Sequence, residues 1–507
     1  MTPIRLIPLA ALALALGACG KHNADAPAAV SPGKAATNSV KLGQLRLTPC
    51  SLPSPQPNGE ALEAQCTTFE VAEDRANPAG RKIELNIAWV PPRNNSDPAP
   101  DPVFYLAGGP GQSAVATFPA LAPFLRDVLK DRGVMLVDQR GTGKSNLLNC
   151  KPDEDEAADA DFDPARARAA MQACMEALST KADLRHYTTT DAIADLDAVR
   201  QAIGADKINL IGISYGTRVA QQYALNHPDH TRTVTLDSPV PNTLGLGNIF
   251  ARNLDDALAA QFTLCVQNDA CKNRMGDPRT ELQTLLQTLR ANPVQVRYRD
   301  ASTGEEKTDT LTADTVAGLV RMYAYMPAAG ALLPQLIREA NQGRHASLMA
   351  LADMLKNEMQ DSMAMGMQMS VICSEDADSM VTRAEDRDTV LGNRMVEGMA
   401  AMCEVWPKGK KPANFNTALS GNLPVLILTG EFDPVTPPKY GEEIVKTLPN
   451  GRWFDLRGQG HSVLGAGCMP KLLAQFIEKA DAKSLDAKCL DTLAQVPPFT
   501  SYNGWEP

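Results

Sequence analysis

The sequence predicts an α/β fold, a mostly parallel sheet whose strand–helix alternation is broken once by a long helical insertion. Three observations predict it. Short continuous apolar runs recur at 103–106, 134–137, 208–213, 233–236 and 425–428, and unbroken apolar runs fit strands buried on both faces, as parallel strands are. Helical patterns lie between them, most clearly at 191–203, where Asp191 is placed to cap the helix and Gly204 to close it. The runs end at Gly108, Asp138, Ser214, Asp237 and Gly430 or just before them, at the strand ends where such sheets bind ligands.

In chain order, residues 1–18 read as a leader. Arg5 precedes an apolar run too short to span a bilayer. The run ends in Leu16-Gly17-Ala18-Cys19, which resembles the lipobox of bacterial lipoproteins and implies lipid on Cys19. By resemblance to Gram-negative lipoproteins, Gly20 after the cysteine implies the outer membrane of the cell envelope, facing the periplasm or exterior; without lipid the chain would be secreted. Residues 19–45 are rich in Ala, Pro, Ser, Gly and Asn and read as a flexible tether. The core should begin at 46, with strands at 66–71 and 82–90 joined through the turn signal Asn77-Pro78-Ala79-Gly80. The first part of the core runs over 46–241 and the second over 416–507. Between them, 242–415 reads as helices at 253–266, 279–291, 313–325, 331–342, 346–368 and 384–400, a helical cap.

Composition narrows the partners. Of 507 residues, 44% are hydrophobic and 21% charged, a globular balance. The net charge of −10, with no basic block, excludes a nucleic-acid partner. Eleven cysteines are many for a reducing compartment. With Cys19 set aside, ten remain: Cys50, Cys66, Cys150, Cys174, Cys265, Cys271, Cys373, Cys403, Cys468 and Cys489. Sequence does not give their connectivity; pairing sequential neighbours would close five short local loops. The alternative, a zinc site, lacks a C-x-x-C pair and clustered histidines, so no metal is expected.

The chemistry sits on three strand ends. Gly212-Ile213-Ser214-Tyr215-Gly216 matches G-x-S-x-G between a buried strand and a helix at 217–226, the context of a nucleophile elbow. A serine hydroxyl needs a base. Four of the six histidines follow Ser214. His227 and His230 fall at a helix end and His345 in the insertion, which leaves His461, in Gly458-Gln459-Gly460-His461-Ser462, as the base. The acid should close the preceding strand, and Asp433 in Gly430-Glu431-Phe432-Asp433-Pro434 fits, with Glu431 as runner-up. The oxyanion requires fixed donors: the backbone N–H of Tyr215, and that of Gly109 in Ala107-Gly108-Gly109-Pro110-Gly111, with Gly108 as second choice. Asp138-Gln139-Arg140-Gly141-Thr142-Gly143-Lys144-Ser145 ends like a phosphate loop but has aspartate where that motif demands glycine.

Taken in order, GGPG, DQRGTGKS, GISYGT, GEFDPVTPP and GQGHS resemble the prolyl-aminopeptidase-like serine peptidases, which are α/β-hydrolases, and within them the tripeptidyl-aminopeptidase branch. The resemblance covers about 60–490. Iminopeptidases often carry histidine where this chain has Ala107, and a further glycine where it has Thr217; both departures favour the tripeptidyl branch. The resemblance implies a serine exopeptidase acting on free N-termini without a cofactor, under a cap whose acidic residue holds the substrate ammonium. Glu375 is placed for that role, with Asp376 as alternate. A carboxylesterase or a proline iminopeptidase would use the same triad. Met354, Met359, Met363, Met365, Met367 and Met369 cluster in the cap, as a helix core or as an adaptable substrate wall.

Overall fold

The computed structural model describes residues 39–507 except 56–58, 95, 151–162 and 506–507, with the backbone alone at 357–361. Cys19 and its leader lie outside the described residues, as does the side chain of Met359. Ten strands form one sheet and two more form a separate ribbon.

The sheet begins earlier than the sequence suggested. Val40–Leu42 (β1) falls within the stretch read as tether and pairs antiparallel with Leu45–Leu52 (β2). In β2, Leu45 and Leu47 are buried while Arg46 and Thr48 are exposed, the two-residue period of a half-covered strand. Leu62–Ala72 (β3) and Lys82–Val90 (β4) form the expected hairpin, its turn closed by the Gly80 N–H donating to the Asn77 carbonyl at 2.9 Å. Then come Val103–Leu106 (β5), Val134–Val137 (β6), Ile208–Ile213 (β7) and Thr231–Asp237 (β8). Every residue of β5, β6 and β7 is buried, which is why their sequences are apolar without alternation but for Asn209, whose amide donates to Asp101.

The first helices are Ala114–Leu121 (α1), Pro164–Ser179 (α2), Thr189–Ile203 (α3) and Tyr215–Asn226 (α4). The cap of α3 differs from expectation. Thr188 is the N-cap, and Asp191 completes a capping box by accepting the Thr188 N–H; Gly204 closes the helix in the left-handed region as expected.

The insertion holds Phe250–Gln267 (α5), Asp269–Met275 (α6), Pro278–Ala291 (α7), the strands Val294–Arg299 (β9) and Glu306–Leu311 (β10), then Ala313–Ala324 (α8), Pro327–Gly330 (α9), Leu333–Asn341 (α10), Ala346–Ser362 (α11), Met365–Glu375 (α12) and Arg394–Val405 (α13). The antiparallel ribbon β9–β10 is absent from the sequence reading. The helix expected at 346–368 breaks at 363–364, where the Ala364 N–H donates to the Gly111 carbonyl at 3.0 Å instead of continuing the helix. The helix expected at 384–400 starts only at Arg394.

Val425–Gly430 (β11), Pro438–Val445 (α14), Gly451–Leu456 (β12) and Met469–Lys479 (α15) complete the core. The sheet order is β1-β2-β3-β4-β6-β5-β7-β8-β11-β12, with β6 to β12 parallel and β1 to β4 antiparallel. One apolar core lies on each face of the sheet. A third, including Leu254, Phe262, Leu286, Leu319 and Ile337, lies within the insertion, so the cap is a packed layer. Each such side chain contributes about 1.5–3 kcal/mol on full burial. Among the described residues no helix is long and apolar enough to cross a membrane.

Five disulfides join Cys50–Cys66, Cys150–Cys174, Cys265–Cys271, Cys373–Cys403 and Cys468–Cys489, the sequential pairing considered above. They fit an oxidising compartment. Cys373–Cys403 spans the longest interval, 30 residues, and ties α12 to α13. Replacing both with serine is expected to cost about 3 to 4 kcal/mol by loop entropy. Urea unfolding should show this loss exceeding that of the Cys265–Cys271 pair, which spans 6 residues; equal losses would refute the loop-length argument.

Candidate active site

Ser214 stands between β7 and α4 at φ 55°, ψ −122°, a region closed to most L-residues. Two close approaches force this turn. A methyl group on Gly212 would lie 2.3 Å from the Gly216 carbonyl oxygen, and one on Gly216 would lie 2.2 Å from that of Leu106. Only glycine fits either position. The Ser214 N–H donates to the Asp237 carbonyl at 2.9 Å, and its own carbonyl accepts the Thr217 N–H and hydroxyl at 2.9 and 2.5 Å. Thr217 Oγ1 also accepts the Val240 N–H at 2.9 Å, so the residue that departs from the iminopeptidase pattern ties the elbow helix to the next loop.

The parallel pairing β7–β8–β11–β12 brings the expected acid and base to the same sheet edge. His461 Nδ1 lies 2.8 Å from Asp433 Oδ2. Asp433 is buried, and its carboxylate also accepts the N–H groups of Val435 and Thr436 and the Thr436 hydroxyl, each at 2.8 Å. Burial pushes Asp433 up, but the His461 charge, its hydrogen bond and the two amides prevail and hold it below the ordinary carboxylate value. Burial pulls the His461 imidazolium down; the Asp433 charge and hydrogen bond outweigh it and place His461 above the ordinary histidine value. An Nδ1–H donated to Asp433 leaves Nε2 as the acceptor for a serine proton. Glu431, the runner-up acid, is occupied with the Gly458 N–H at 2.7 Å and the Gln495 amide at 2.8 Å.

Tyr215 is the first residue of α4, so its N–H has no intrahelical acceptor. The glycine loop after β5 lies alongside. Gly108 faces the nucleophile, since a methyl group there would sit 3.2 Å from Ser214 Cβ, and Gly109 holds φ +111°. The cap covers this loop. Met363 Cε would lie 3.3 Å from a methyl group on Gly109. Met367 and Met369 are buried in the core, the helix-core role expected of the run. From the cap, the Tyr325 carbonyl accepts the His461 N–H at 2.9 Å and its ring meets the imidazole edge-on.

The acids expected to hold a substrate amine sit in a buried cluster that sequence reasoning did not foresee. Glu375 accepts the Thr189 N–H at 2.6 Å and its hydroxyl at 2.9 Å. The Tyr215 hydroxyl is 2.6 Å from the Thr189 hydroxyl and accepts the Gln139 amide at 3.1 Å. Two hydrogen bonds thus connect Glu375 to the residue after the nucleophile. Asp376 pairs with Arg218 at 2.8 Å, while Glu375 stands 3.9 Å from the same guanidinium. Glu375, Asp376 and Arg218 are 2%, 1% and 0% exposed, so two acids share one cation away from water. Burial, reinforced by Asp376 and opposed by Arg218, pushes Glu375 up to about 8.

The remaining motif residues have structural partners. Asp138 accepts the Ser113 hydroxyl at 2.5 Å, the Val115 N–H at 3.0 Å and the Lys144 N–H at 3.2 Å. It braces the glycine-loop helix against its own loop, which accounts for aspartate at this position. His230 Nδ1 lies 3.0 Å from the Asp206 carbonyl and His227 packs on Tyr223, helix-end roles for both.

A family model described as alpha/beta hydrolase fold matches residues 101–466. The serine protease Hip1 of Mycobacterium tuberculosis is 25% identical over 526 residues, covering 95% of this chain and 96% of that protein. Tripeptidyl aminopeptidase of Streptomyces lividans is 27% identical over 439 residues, covering 79% of this chain and 78% of its own length. Carboxylesterase B of Mycobacterium tuberculosis is 26% identical over 475 residues, covering 83% and 87% respectively.

Proposed function

The chain belongs to the alpha/beta hydrolase fold family, and on that premise we propose that it is a serine exopeptidase releasing short peptides, tripeptides, from free N-termini. Ser214 attacks the scissile carbonyl while His461 takes its proton and Asp433 steadies the imidazolium. The Tyr215 and Gly109 amides hold the oxyanion. His461 returns the proton to the leaving amine, and water then cleaves the acyl-enzyme through the same groups. At the chain's start, lipid on Cys19 would anchor it in the cell envelope, with the outer membrane as its place.

The observation that carries the peptidase reading is the buried acid pair beside Tyr215. Glu375 and Asp376 share one guanidinium, and Asp376 Oδ1 has no hydrogen-bond partner among the described residues. A substrate ammonium would satisfy that oxygen and favour the ionised form of Glu375, and anchoring it sets how many residues reach the nucleophile. The similarity to the two named peptidases agrees with this reading. The esterase reading has support from the triad alone, which serves either acyl leaving group, and from the likeness to Carboxylesterase B.

Three substrates separate the readings: a free-amine tripeptide anilide, its N-acetylated form and a short-chain p-nitrophenyl ester. The expected result is turnover of the free amine at least about 100-fold above the acetylated form, as for a lost charge-assisted contact of 2–3 kcal/mol. Asp376→Asn and Glu375→Gln should raise KM for the free amine alone. Indifference to acetylation would replace the peptidase with an esterase.

A further inference from the structure

Asp237 closes β8 and is fully buried, yet the triad does not use it. Its main-chain carbonyl accepts the Ser214 N–H at 2.9 Å. Its carboxylate accepts the Val463 N–H at 2.9 and 3.1 Å on its two oxygens, and the Leu464 N–H at 3.0 Å. The Ser462 hydroxyl lies 3.3 Å away. The adjacent Ser238 hydroxyl accepts the Ser462 N–H at 2.8 Å. This two-residue step therefore holds the nucleophile turn through its backbone and the histidine loop through its side chains.

The loop needs that hold. Ser238 and Ser462 have φ of 55° and 69°, in the left-handed region, at a cost of about 1–3 kcal/mol each unless surrounding bonds impose it. A structural acid could serve here, but the charge of this one also acts on the base. The charged groups acting on His461 are Asp433 from the end of β11, Asp237 from the end of β8 and Arg321 from α8; the two acids raise the imidazole and Arg321 lowers it. Burial raises Asp237 itself, while the Val463 and Leu464 amides, the His461 charge and the Ser462 hydroxyl favour its ionised form; Tyr105 of β5, whose buried phenol is held up at about 12, stays neutral.

We propose that Asp237 is a second acid of the catalytic centre, a positioning residue that locks the His461 loop against the nucleophile turn. The inference rests on the serine-hydrolase reading of the site and not on the choice of peptide substrate.

The test compares wild type, Asp237→Asn and Ser238→Ala, with folding checked by near-UV circular dichroism. The readouts are hydrolysis of a short-chain p-nitrophenyl ester and fluorophosphonate labelling of Ser214 across pH. Asparagine keeps one acceptor for the loop amides but loses the charge. Asp237→Asn should lower kcat by about 100-fold, as for a small misplacement of the base, with KM unchanged. Its acid limb should move to lower pH, because His461 must be neutral to act and has lost one of the two charges that raise it. Ser238→Ala keeps the charge and loses one loop bond, so kcat falls less and the limb stays in place.

A folded Asp237→Asn with wild-type kcat, or with an unmoved acid limb, overturns the proposal. Should that variant fail to fold, a wild-type labelling rate for Ser238→Ala overturns it. Wild type that cleaves the ester but no free-amine peptide removes the exopeptidase reading and leaves this test intact. Wild type that neither labels nor turns over removes both.

Discussion

Ser214→Ala is expected to lower kcat by about a million-fold and to abolish fluorophosphonate labelling, with KM and the fold retained. The size follows from how the site divides its labour. The oxyanion donors are backbone amides and survive the substitution, so catalysis of about a thousand-fold over water should remain. What is lost is the covalent route, because His461 and Asp433 then have no hydroxyl to activate. A second measurement ties the result to the elbow. Ser214 holds φ 55° and ψ −122°, a conformation that alanine tolerates no better than serine. Ser214→Gly, equally inactive, should be more stable than Ser214→Ala by about 1 kcal/mol, because glycine carries no Cβ penalty there. Residual labelling in either variant would place the nucleophile elsewhere. Equal stability of the two would deny the strain read from the turn.

The parts of this site that were legible in the sequence are those fixed over a few consecutive residues. Ile208–Ile213 is buried on both faces, so its composition alone marks a strand, and Gly212 and Gly216 mark the turn because no side chain fits there. Asp433 and His461 follow from strand ends and the order of motifs. What stayed hidden depends on residues far apart in sequence. Glu375 was singled out as an acid, but nothing near it announces that Thr189, 186 positions earlier, will occupy its oxygens. The break has no glycine or proline at 363–364, and Gly366 falls inside the next helix; its cause is the Gly111 carbonyl. Asp237 reads as the last residue of a strand, and its hold on the histidine loop spans more than 220 positions. The β9–β10 ribbon was missed for a different reason. Its exposed faces carry Arg297, Arg299 and Glu306, so the strands lack the apolar density that identified the core.

The stability counterpart of the Ser214 result lies in the buried cluster. Arg218→Met should destabilise the protein by about 3–5 kcal/mol, as expected when one partner of a buried ion pair is removed and the other stays unpaired. Methionine fills much of the volume, so the loss reports charge more than cavity. Arg218 donates to Asp376 at 2.8 Å and to the Leu244 carbonyl at 2.5 Å, and its guanidinium lies 5.7 Å from the Phe415 ring. Its removal strands Asp376 and, as pH rises, burdens Glu375 as well. The sign of the pH dependence follows. Glu375 in the folded chain already sits near 8, above its unfolded value of 4.5, because burial and Asp376 outweigh Arg218. A carboxyl raised on folding favours the protonated state, so its contribution is fullest below the unfolded value and is lost as pH rises through the folded one. Without Arg218 the folded value rises further. The variant should therefore lose more stability at pH 8 than at pH 5, measured by urea unfolding at both. Asp376→Asn should repair part of the loss, and the double-mutant cycle between positions 218 and 376 should show coupling of about 1–3 kcal/mol. An Arg218→Met variant within about 1 kcal/mol of wild type at pH 8 would mean that water reaches the cluster. The acids would then be solvated rather than buried, and the amine-holding role proposed for them would lose its physical basis.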